Sequence, residues 1–121
     1  MDKIRILFGR TNELWWDGLQ NLLQQTNEME VVSVCANTEE VIRGNNEYRP
    51  DVILLDEEIP GSSPGETARN LLESRAETKI IVVIKPYKDV KMASHFHAGT
   101  KAYIDKNISL EEMITVIHCV A

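Results

Sequence analysis

Short apolar segments alternate along the chain with segments whose apolar residues recur at helical spacing. The apolar segments are rich in β-branched residues and are the length of ordinary strands, which favours strands over buried helices. They predict five strands, at residues 4–8, 31–36, 52–56, 79–84 and 102–105. The fourth is nearly all apolar, as expected of a strand that is buried on both faces of its sheet.

Helical spacing predicts five helices between and after these strands. They lie at about residues 14–23, 38–46, 64–75 and 89–97, and from residue 109 to the end of the chain. Thr11 or Asn12 is the predicted N-cap of the first helix and Thr38 that of the second. Ser109 and Glu112 have the spacing of a capping box, which predicts the start of the last helix.

Two adjacent tryptophans lie on the first predicted helix, and neighbouring helical positions cannot both face the core. Trp15 continues the apolar stripe and is predicted to be buried. Trp16 is predicted to be partly exposed, either as a contact for a protein partner or packed flat on the surface of its own domain.

Alternating strands and helices predict an α/β fold with a doubly wound, five-stranded parallel sheet. Right-handed crossovers and the length of the chain favour the flavodoxin-like strand order 2-1-3-4-5. In that order the ends of the first and third strands are neighbours, so Arg10, Thr11 and Asp56 should converge. Ile84 ends the fourth strand and Lys106 follows the fifth, so both should lie on the same rim.

Composition narrows the class of protein. The 121 residues predict one domain, and its formal net charge of −6 argues against direct nucleic-acid binding by this domain. No apolar run approaches the roughly 18 residues of a membrane helix, and the start has no signal-peptide pattern. Cys35 and Cys119 are predicted to be buried, reduced thiols of a cytoplasmic protein. Helical spacing continues to Ala121, which indicates the N-terminal part of a longer protein.

The most informative segment ends the third predicted strand on an acid, Asp56, and continues into Pro60 and Gly61. Open α/β sheets bind ligands at the carboxyl ends of their strands, and Asp56 is delivered to that edge. Considered alone, Asp56 is either a structural carboxylate in an ion-pair network or a reactive group.

Residues 3–7, 50–61 and 99–106 together resemble the receiver domain of bacterial two-component response regulators, and most of all receivers that precede a LuxR-type helix-turn-helix. The resemblance covers nearly the whole chain and implies the CheY-like form of the predicted fold. It implies that Asp56 is the position that accepts a phosphoryl group from a histidine kinase. It also implies that Lys106 pairs with Asp56 and that Tyr103 is the aromatic residue that turns inward on activation.

Two positions depart from the pattern of that family. Receivers hold Mg²⁺ with the aspartate and an acidic pair after the first strand, where this chain has Arg10 and Thr11. They bind a phosphoryl oxygen with a hydroxyl after the fourth strand, where this chain has Ile84. The usual local charge of about −2 becomes about +1, or about zero if Glu58 joins, so Mg²⁺ binding is expected to be weak or absent.

Arg10 is the predicted substitute for the metal, because a guanidinium is always charged and suits carboxylates. The hypothesis is that Arg10 pairs with Asp56, Glu58 or both. The alternative is that Arg10 and Lys106 together bind a phosphate-like anion. Without a hydroxyl at Ile84, ordinary packing is favoured over switching for Tyr103.

The sequence therefore predicts an atypical receiver, or pseudo-receiver, and not an enzyme. Its expected role is signal transduction or transcriptional regulation through protein contacts, without metal-dependent phosphorylation. Binding of a partner protein or a small ligand is the candidate signal. A homodimer through the first and last helices, or through the face of the fourth helix, fifth strand and last helix, is expected. DNA binding is expected only through a helix-turn-helix after Ala121, and no membrane contact is expected.

Two other classes stay open at this stage. One is a working receiver that a histidine kinase phosphorylates at Asp56. The other is a flavodoxin-like enzyme or cofactor-binding protein, which would need a glycine-rich phosphate loop after a strand. Residues 9–12 do not form such a loop.

Overall fold

A computed structural model describes residues 2–85 and 99–121 of the chain. Within these residues five strands and four helices follow one another. They are β1 (Ile4–Gly9), α1 (Leu14–Gln24), β2 (Met29–Cys35), α2 (Thr38–Tyr48), β3 (Val52–Asp56), α3 (Pro64–Ser74), β4 (Ile80–Ile84), β5 (Thr100–Asp105) and α4 (Leu110–Val120). The helix predicted at about residues 89–97 lies outside the described residues. Strands β2 and β5 begin two residues earlier than predicted, and α2 ends two residues later.

The five strands form one parallel sheet in the order β2-β1-β3-β4-β5, which confirms the predicted topology. Every residue of β3 and of β4 is buried, as the apolar sequence of these central strands requires. The register places Asp56 beside Val83 of β4, while Leu55 lies beside Gly9 of β1. Asp56 is therefore at the carboxyl edge in the middle of the sheet.

Alternate residues of the strands divide the core into two layers. One layer lies between the sheet and helices α1 and α4, and it includes Phe8, Trp16, Leu54, Val83 and Ile117. The other lies under α2 and α3, and it includes Leu7, Val41, Leu55, Leu71 and Ile84. Among the described residues, no helix is long and apolar enough to cross a bilayer.

Helix α1 begins at Leu14, as predicted, but its N-cap and its buried face differ from the prediction. Its N-cap is Glu13, which makes no capping hydrogen bond through its side chain, so the predicted caps Thr11 and Asn12 are wrong. Trp16 is completely buried in the core and Trp15 is half-buried, so the predicted orientation of the two tryptophans is also wrong. The buried stripe runs through Trp16, Leu19 and Leu23 at i, i+3 and i+7.

The predicted cap of the last helix is confirmed, whereas the burial predicted for the two cysteines is confirmed for only one of them. Ser109 is the N-cap of α4 as predicted, because its hydroxyl accepts a hydrogen bond from the Glu112 backbone N–H at 3.1 Å. Cys35 is buried as predicted, but Cys119 is exposed, and both thiols are free. The inward face of α4 is set by Met113 and Ile117, and Cys119 is two positions further, on the other side of the helix.

The turn after β3 is fixed against the start of α2. The predicted cap Thr38 is the first residue of α2, and the N-cap is Asn37, which accepts a hydrogen bond from the Glu40 N–H at 2.9 Å. The Thr38 hydroxyl instead accepts one from the Ser62 N–H at 3.0 Å. Gly61 has a φ of +119°, and a Cβ there would overlap Thr38 Oγ1.

Gly61→Ala is therefore expected to lower the free energy of unfolding by about 1–3 kcal/mol, because the side chain meets both a strained φ and Thr38. Gly18→Ala is the matched control: Gly18 lies inside α1, and apart from its chain neighbours and the local helix backbone no atom lies within 4 Å of the added methyl. It is expected to raise stability by about 0.5–1 kcal/mol. Urea denaturation followed by circular dichroism measures both. A Gly61→Ala protein as stable as the unmodified chain would contradict this account of the turn.

Candidate functional site at Asp56

Asp56 ends β3 with a side chain that is 0% exposed, and both of its carboxylate oxygens accept hydrogen bonds. Oδ1 accepts from the Glu58 backbone N–H at 2.8 Å. Oδ2 accepts from Trp16 Nε1 at 2.7 Å and from Lys106 Nζ at 2.9 Å. A buried charge is tolerated only when it is paired and hydrogen-bonded, and these three donors meet that requirement.

Lys106 is the cation of the site, as predicted. Its side chain is 8% exposed, and its ammonium also donates to Glu13 Oε1 at 2.8 Å, so it bridges two carboxylates. The Lys106 backbone N–H bonds the Ile84 carbonyl at 3.0 Å, which holds the residue at the rim of the sheet. Burial alone would lower the pKa of Lys106, but the hydrogen bonds and charges of Glu13 and Asp56 outweigh it and raise that pKa.

Glu13 was not identified from the sequence as part of the site. The hydrogen bond from Lys106 lowers the pKa of Glu13 below its ordinary value, so the carboxylate form is favoured. Glu13 is the N-cap of α1, and its side chain reaches Lys106 after the end of β5. Asp56, Glu13 and Lys106 together carry a formal charge of −1. The charge predicted from the sequence was about +1, because that sum counted Arg10 as part of the site and left Glu13 out.

Arg10 does not reach Asp56 or Glu58, so the predicted pairing is wrong. Its Nη1 pairs with Asp17 Oδ1 at 2.7 Å. Its Nε and Nη2 donate to the carbonyls of Thr11 and Glu13 at 2.9 and 3.2 Å. The physical reason is local: the chain turning into α1 presents these carbonyls, and Asp17 lies one turn further on. The predicted alternative, an anion held by Arg10 and Lys106, has no support in this arrangement.

Glu58 pairs with a different cation from the one predicted. Its Oε1 lies 3.0 Å from Lys85 Nζ, and this hydrogen bond raises the pKa of Lys85. The Lys85 backbone N–H donates to Glu57 Oε1 at 3.0 Å. The loops after β3 and β4 are therefore joined at the exposed side of the rim. Thr11 also remains outside the Asp56 contacts, with its hydroxyl 3.3 Å from Glu13 Oε1.

Ile84 and Tyr103 lie where their strands place them. Ile84 is buried at the end of β4, in the core layer under α2 and α3. Tyr103 is half-buried on β5 and packs against the same layer. The register pairs Tyr103 with Val82, and Ile84 with Asp105. Packing rather than switching stays the predicted role of Tyr103.

Both tryptophans touch the site, and sequence reasoning missed this role. Trp16 packs edge-on against Phe8, with ring centroids 4.9 Å apart, and donates its indole N–H to Asp56. Trp15 donates its indole N–H to the Lys106 carbonyl at 3.0 Å, and Lys106 Nζ lies 5.7 Å from the centre of its ring. A buried indole N–H needs an acceptor and a buried carboxylate needs donors, which was the available signal.

A parallel sheet in this order, with an aspartate ending β3 and a lysine after β5, defines the receiver class of signalling domain. The sequence matches the response regulator receiver domain family over residues 11–118, and the chain belongs to that family. Receiver domains are signalling modules of two-component systems and not typical enzymes. Family membership therefore gives no support to the flavodoxin-like enzyme considered from the sequence.

Curated relatives place the chain among response regulators. It is 30% identical over 117 residues to the response regulator GacA of Pseudomonas viridiflava, covering 97% of this chain and 55% of that protein. It is 33% identical over 105 residues to the oxygen regulatory protein NreC of Staphylococcus aureus strain JH9, covering 85% and 48%. The chain spans about half the length of the curated relatives it matches.

Solved structures support the fold. A LuxR-family two-component response regulator from Aurantimonas sp. SI85-9A1 superposes with a TM-score of 0.86 at 21% identity, covering 98% of this chain and 85% of that one. The response regulator domain of Thermotoga maritima CheB gives a TM-score of 0.83 at 22% identity, covering 98% and 96%. These likenesses confirm the CheY-like architecture that the sequence predicted.

The residues present do not fit the Mg²⁺ ion that the family pattern implies. Mg²⁺ requires oxygen ligands, but Asp56 Oδ2 already accepts from Trp16 and Lys106. Arg10 and Thr11 supply no carboxylate. In the part of the chain that the structure describes, no group of three or more His, Cys, Asp or Glu side chains could hold a metal. The ammonium of Lys106 lies between the two acids instead.

Glu13→Gln is expected to destabilise the protein at neutral pH, because Lys106 loses one of its two carboxylate partners. Since the folded-state pKa of Glu13 is lowered from 4.5, its contribution is present above that value and is lost as the pH falls through the folded pKa. The difference in unfolding free energy between the two proteins should therefore stay constant well above pH 4.5 and shrink toward zero as the pH falls below 4.5 and through the lower folded-state pKa.

Denaturant titrations at several pH values measure this difference. Glu39→Gln is the control, because Glu39 pairs with Arg43 on the surface, where both side chains are exposed. It should change stability by less than about 0.5 kcal/mol throughout. A Glu13→Gln penalty that stays constant in acid would contradict the charge pairing described for the site.

Proposed function

We propose that this receiver is a pseudo-receiver that signals through protein contacts without metal-dependent phosphorylation of Asp56. The observation that carries the proposal is the state of the Asp56 carboxylate, which is fully buried and accepts three internal hydrogen bonds. A carboxylate must present an oxygen to a phosphoryl donor, and here Oδ2 is covered by an indole and an ammonium.

The free-energy cost of exposing the Asp56 carboxylate opposes its reaction with a phosphoryl donor. Removing one partner of a buried ion pair typically costs about 3–5 kcal/mol, because the other charge is left unpaired. Opening Asp56 requires separating it from Lys106 in the same way. Phosphoryl transfer also relies on a cation to offset the charge that develops, and on donors to the transferred oxygens. Ile84 supplies no donor, and Arg10 is engaged by Asp17.

The proposal extends to a longer regulator. The chain spans about half of relatives that are named as response regulators, and one structural neighbour is a DNA-binding response regulator of the LuxR family from Staphylococcus aureus. We therefore propose that a helix-turn-helix after Ala121 binds DNA and controls transcription. The acidic receiver, with a net charge of −6, contributes by contacting proteins, including a second copy of itself and a histidine kinase.

A working phosphoacceptor is the second candidate, and one observation favours it. Asp56 and Lys106 occupy the two positions that the family uses for the phosphoacceptor and its lysine, and they are in contact at 2.9 Å. In this alternative a histidine kinase phosphorylates Asp56 after Lys106 is displaced. The two candidates differ in what acetyl phosphate and Mg²⁺ do to the protein.

Incubation with acetyl phosphate and Mg²⁺ is expected to leave the mass of the chain unchanged, because the covered carboxylate and the missing metal ligands both oppose transfer. Intact-protein mass spectrometry measures this, with a receiver that has the acidic pair treated in parallel. A gain of one phosphoryl group that Asp56→Asn abolishes would overturn the proposal and establish the second candidate.

Replacing Arg10 and Thr11 together by Asp is expected to create Mg²⁺ binding, because it places two carboxylates at the positions that the family uses for the ion. Tryptophan fluorescence reports binding, since Trp15 and Trp16 contact Lys106 and Asp56.

The matched control makes the same two changes at exposed positions away from the site, Arg43→Asp and Thr115→Asp. It alters the net charge equally and should show no saturable response to Mg²⁺. If the unmodified chain binds Mg²⁺ as tightly as the Arg10 and Thr11 double variant, the metal site was never lost.

A further inference from the structure

An apolar groove of about 260 Å³ lies between α1 and the start of α4. Six apolar side chains line it, namely Trp15, Leu19, Leu22, Ile108, Leu110 and Met113. Gly18 adds open space at its edge, and Leu22 is 40% exposed. One wall of the groove, Trp15, is also a contact of the Asp56 site.

Trp15 is the shared residue. Its ring lines the groove, while its indole N–H bonds the Lys106 carbonyl at 3.0 Å. The Lys106 ammonium lies 5.7 Å from the centre of the same ring, within the range of a cation–π interaction. The position of Trp15 therefore depends on where both the backbone and the side chain of Lys106 lie.

Trp16 supplies a second connection to the acid. It bonds Asp56 Oδ2 at 2.7 Å and meets Trp15 edge-to-face, with ring centroids 5.0 Å apart at 89°. Its buried neighbour Leu19 belongs to both the core layer and the groove. Two short chains of contact thus run from Asp56 to the groove, one through Lys106 and Trp15 and one through Trp16 and Trp15.

We propose that Trp15 and Trp16 couple the Asp56–Lys106 pair to the shape of the groove between α1 and α4. When Asp56 and Lys106 separate, Lys106 loses one hydrogen-bond acceptor and its ammonium moves. Trp15 then moves too, because its indole N–H and its ring both contact Lys106. Coupling of this kind is reciprocal, so a change imposed on the groove also shifts the pair. The inference goes beyond the proposed function, because it depends on the pairing of Asp56 and holds whether or not that carboxylate accepts a phosphoryl group.

Nuclear magnetic resonance of the chain tests the coupling, with the Trp15 indole N–H and the Met113 methyl group as probes. Asp56→Asn keeps the shape of the side chain and removes its charge, and it should displace both signals. Adding Trp15→Phe, which removes the bond to the Lys106 carbonyl, should abolish most of the displacement at Met113. Glu58→Gln is the control: it neutralises an acid two residues away that pairs with Lys85, and should leave both probes in place.

A shift confined to the Trp16 indole in Asp56→Asn would overturn the proposal, because it would show a local contact only. A Met113 displacement that persists in the Trp15→Phe background would overturn it too. Should Asp56→Asn unfold, Lys106→Gln separates the pair from the other side and must displace the same two probes. Mass spectrometry after acetyl phosphate treatment decides the proposed function independently, so the two failures are distinguishable.

Discussion

The ammonium of Lys106 determines how the carboxyl edge of this sheet is built. Two acids would otherwise repel each other there: Asp56, which is fully buried at the end of β3, and Glu13 at the start of α1. A single cation 2.9 Å from one and 2.8 Å from the other makes their proximity favourable. Because the three residues come from different elements, the pairing joins the start of α1, the end of β3 and the end of β5.

The rest of the site follows from that pairing. Asp56 needs more donors than Lys106 provides, and Trp16 supplies one by turning inward on α1. With Trp16 inside, Trp15 lies between the site and the groove and holds the Lys106 backbone. Arg10 is left to satisfy Asp17 and the carbonyls that precede α1, so it takes no part. The site thus keeps the lysine of its family and lacks the acidic pair that the family uses to hold a metal.

The sheet could be predicted from the sequence because its strands have a strong sequence pattern and because few strand orders satisfy the rules of α/β topology. Short β-branched segments gave the five strands, and right-handed crossovers gave the order that places Asp56 and Lys106 together. The failures at the site concern α1 and the residues just before it. Its N-cap was assigned to Thr11 or Asn12 instead of Glu13, and its buried face was placed through Trp15 instead of Trp16, although the helix begins where predicted. Moving the buried stripe by one residue turns a helix by about 100°. Glu13 and Trp16 were therefore missed as parts of the site. Arg10 was predicted to pair with Asp56 or Glu58 and pairs with Asp17 instead.

Long charged side chains are hard to place from sequence for a related reason. Arg10 could reach several acceptors, and the choice depends on local carbonyls whose positions only the folded chain defines. Lys106 was easier, because the strand that precedes it fixes its location and few acceptors lie within reach. The family pattern predicted a pocket around Asp56 and Lys106, which are in contact. Arg10, Thr11 and Ile84 differ from that pattern, so the contacts of the pocket differ from those expected of the family.

A crystal structure of the protein grown with Mg²⁺ and beryllofluoride tests the central claim most directly, since beryllofluoride mimics a phosphoryl group on an aspartate. The account predicts that Lys106 Nζ stays bonded to Asp56 and Glu13, that Trp16 keeps its bond to Asp56, and that neither reagent binds there. Density for Mg²⁺ and beryllofluoride on Asp56, with Lys106 displaced, would contradict it.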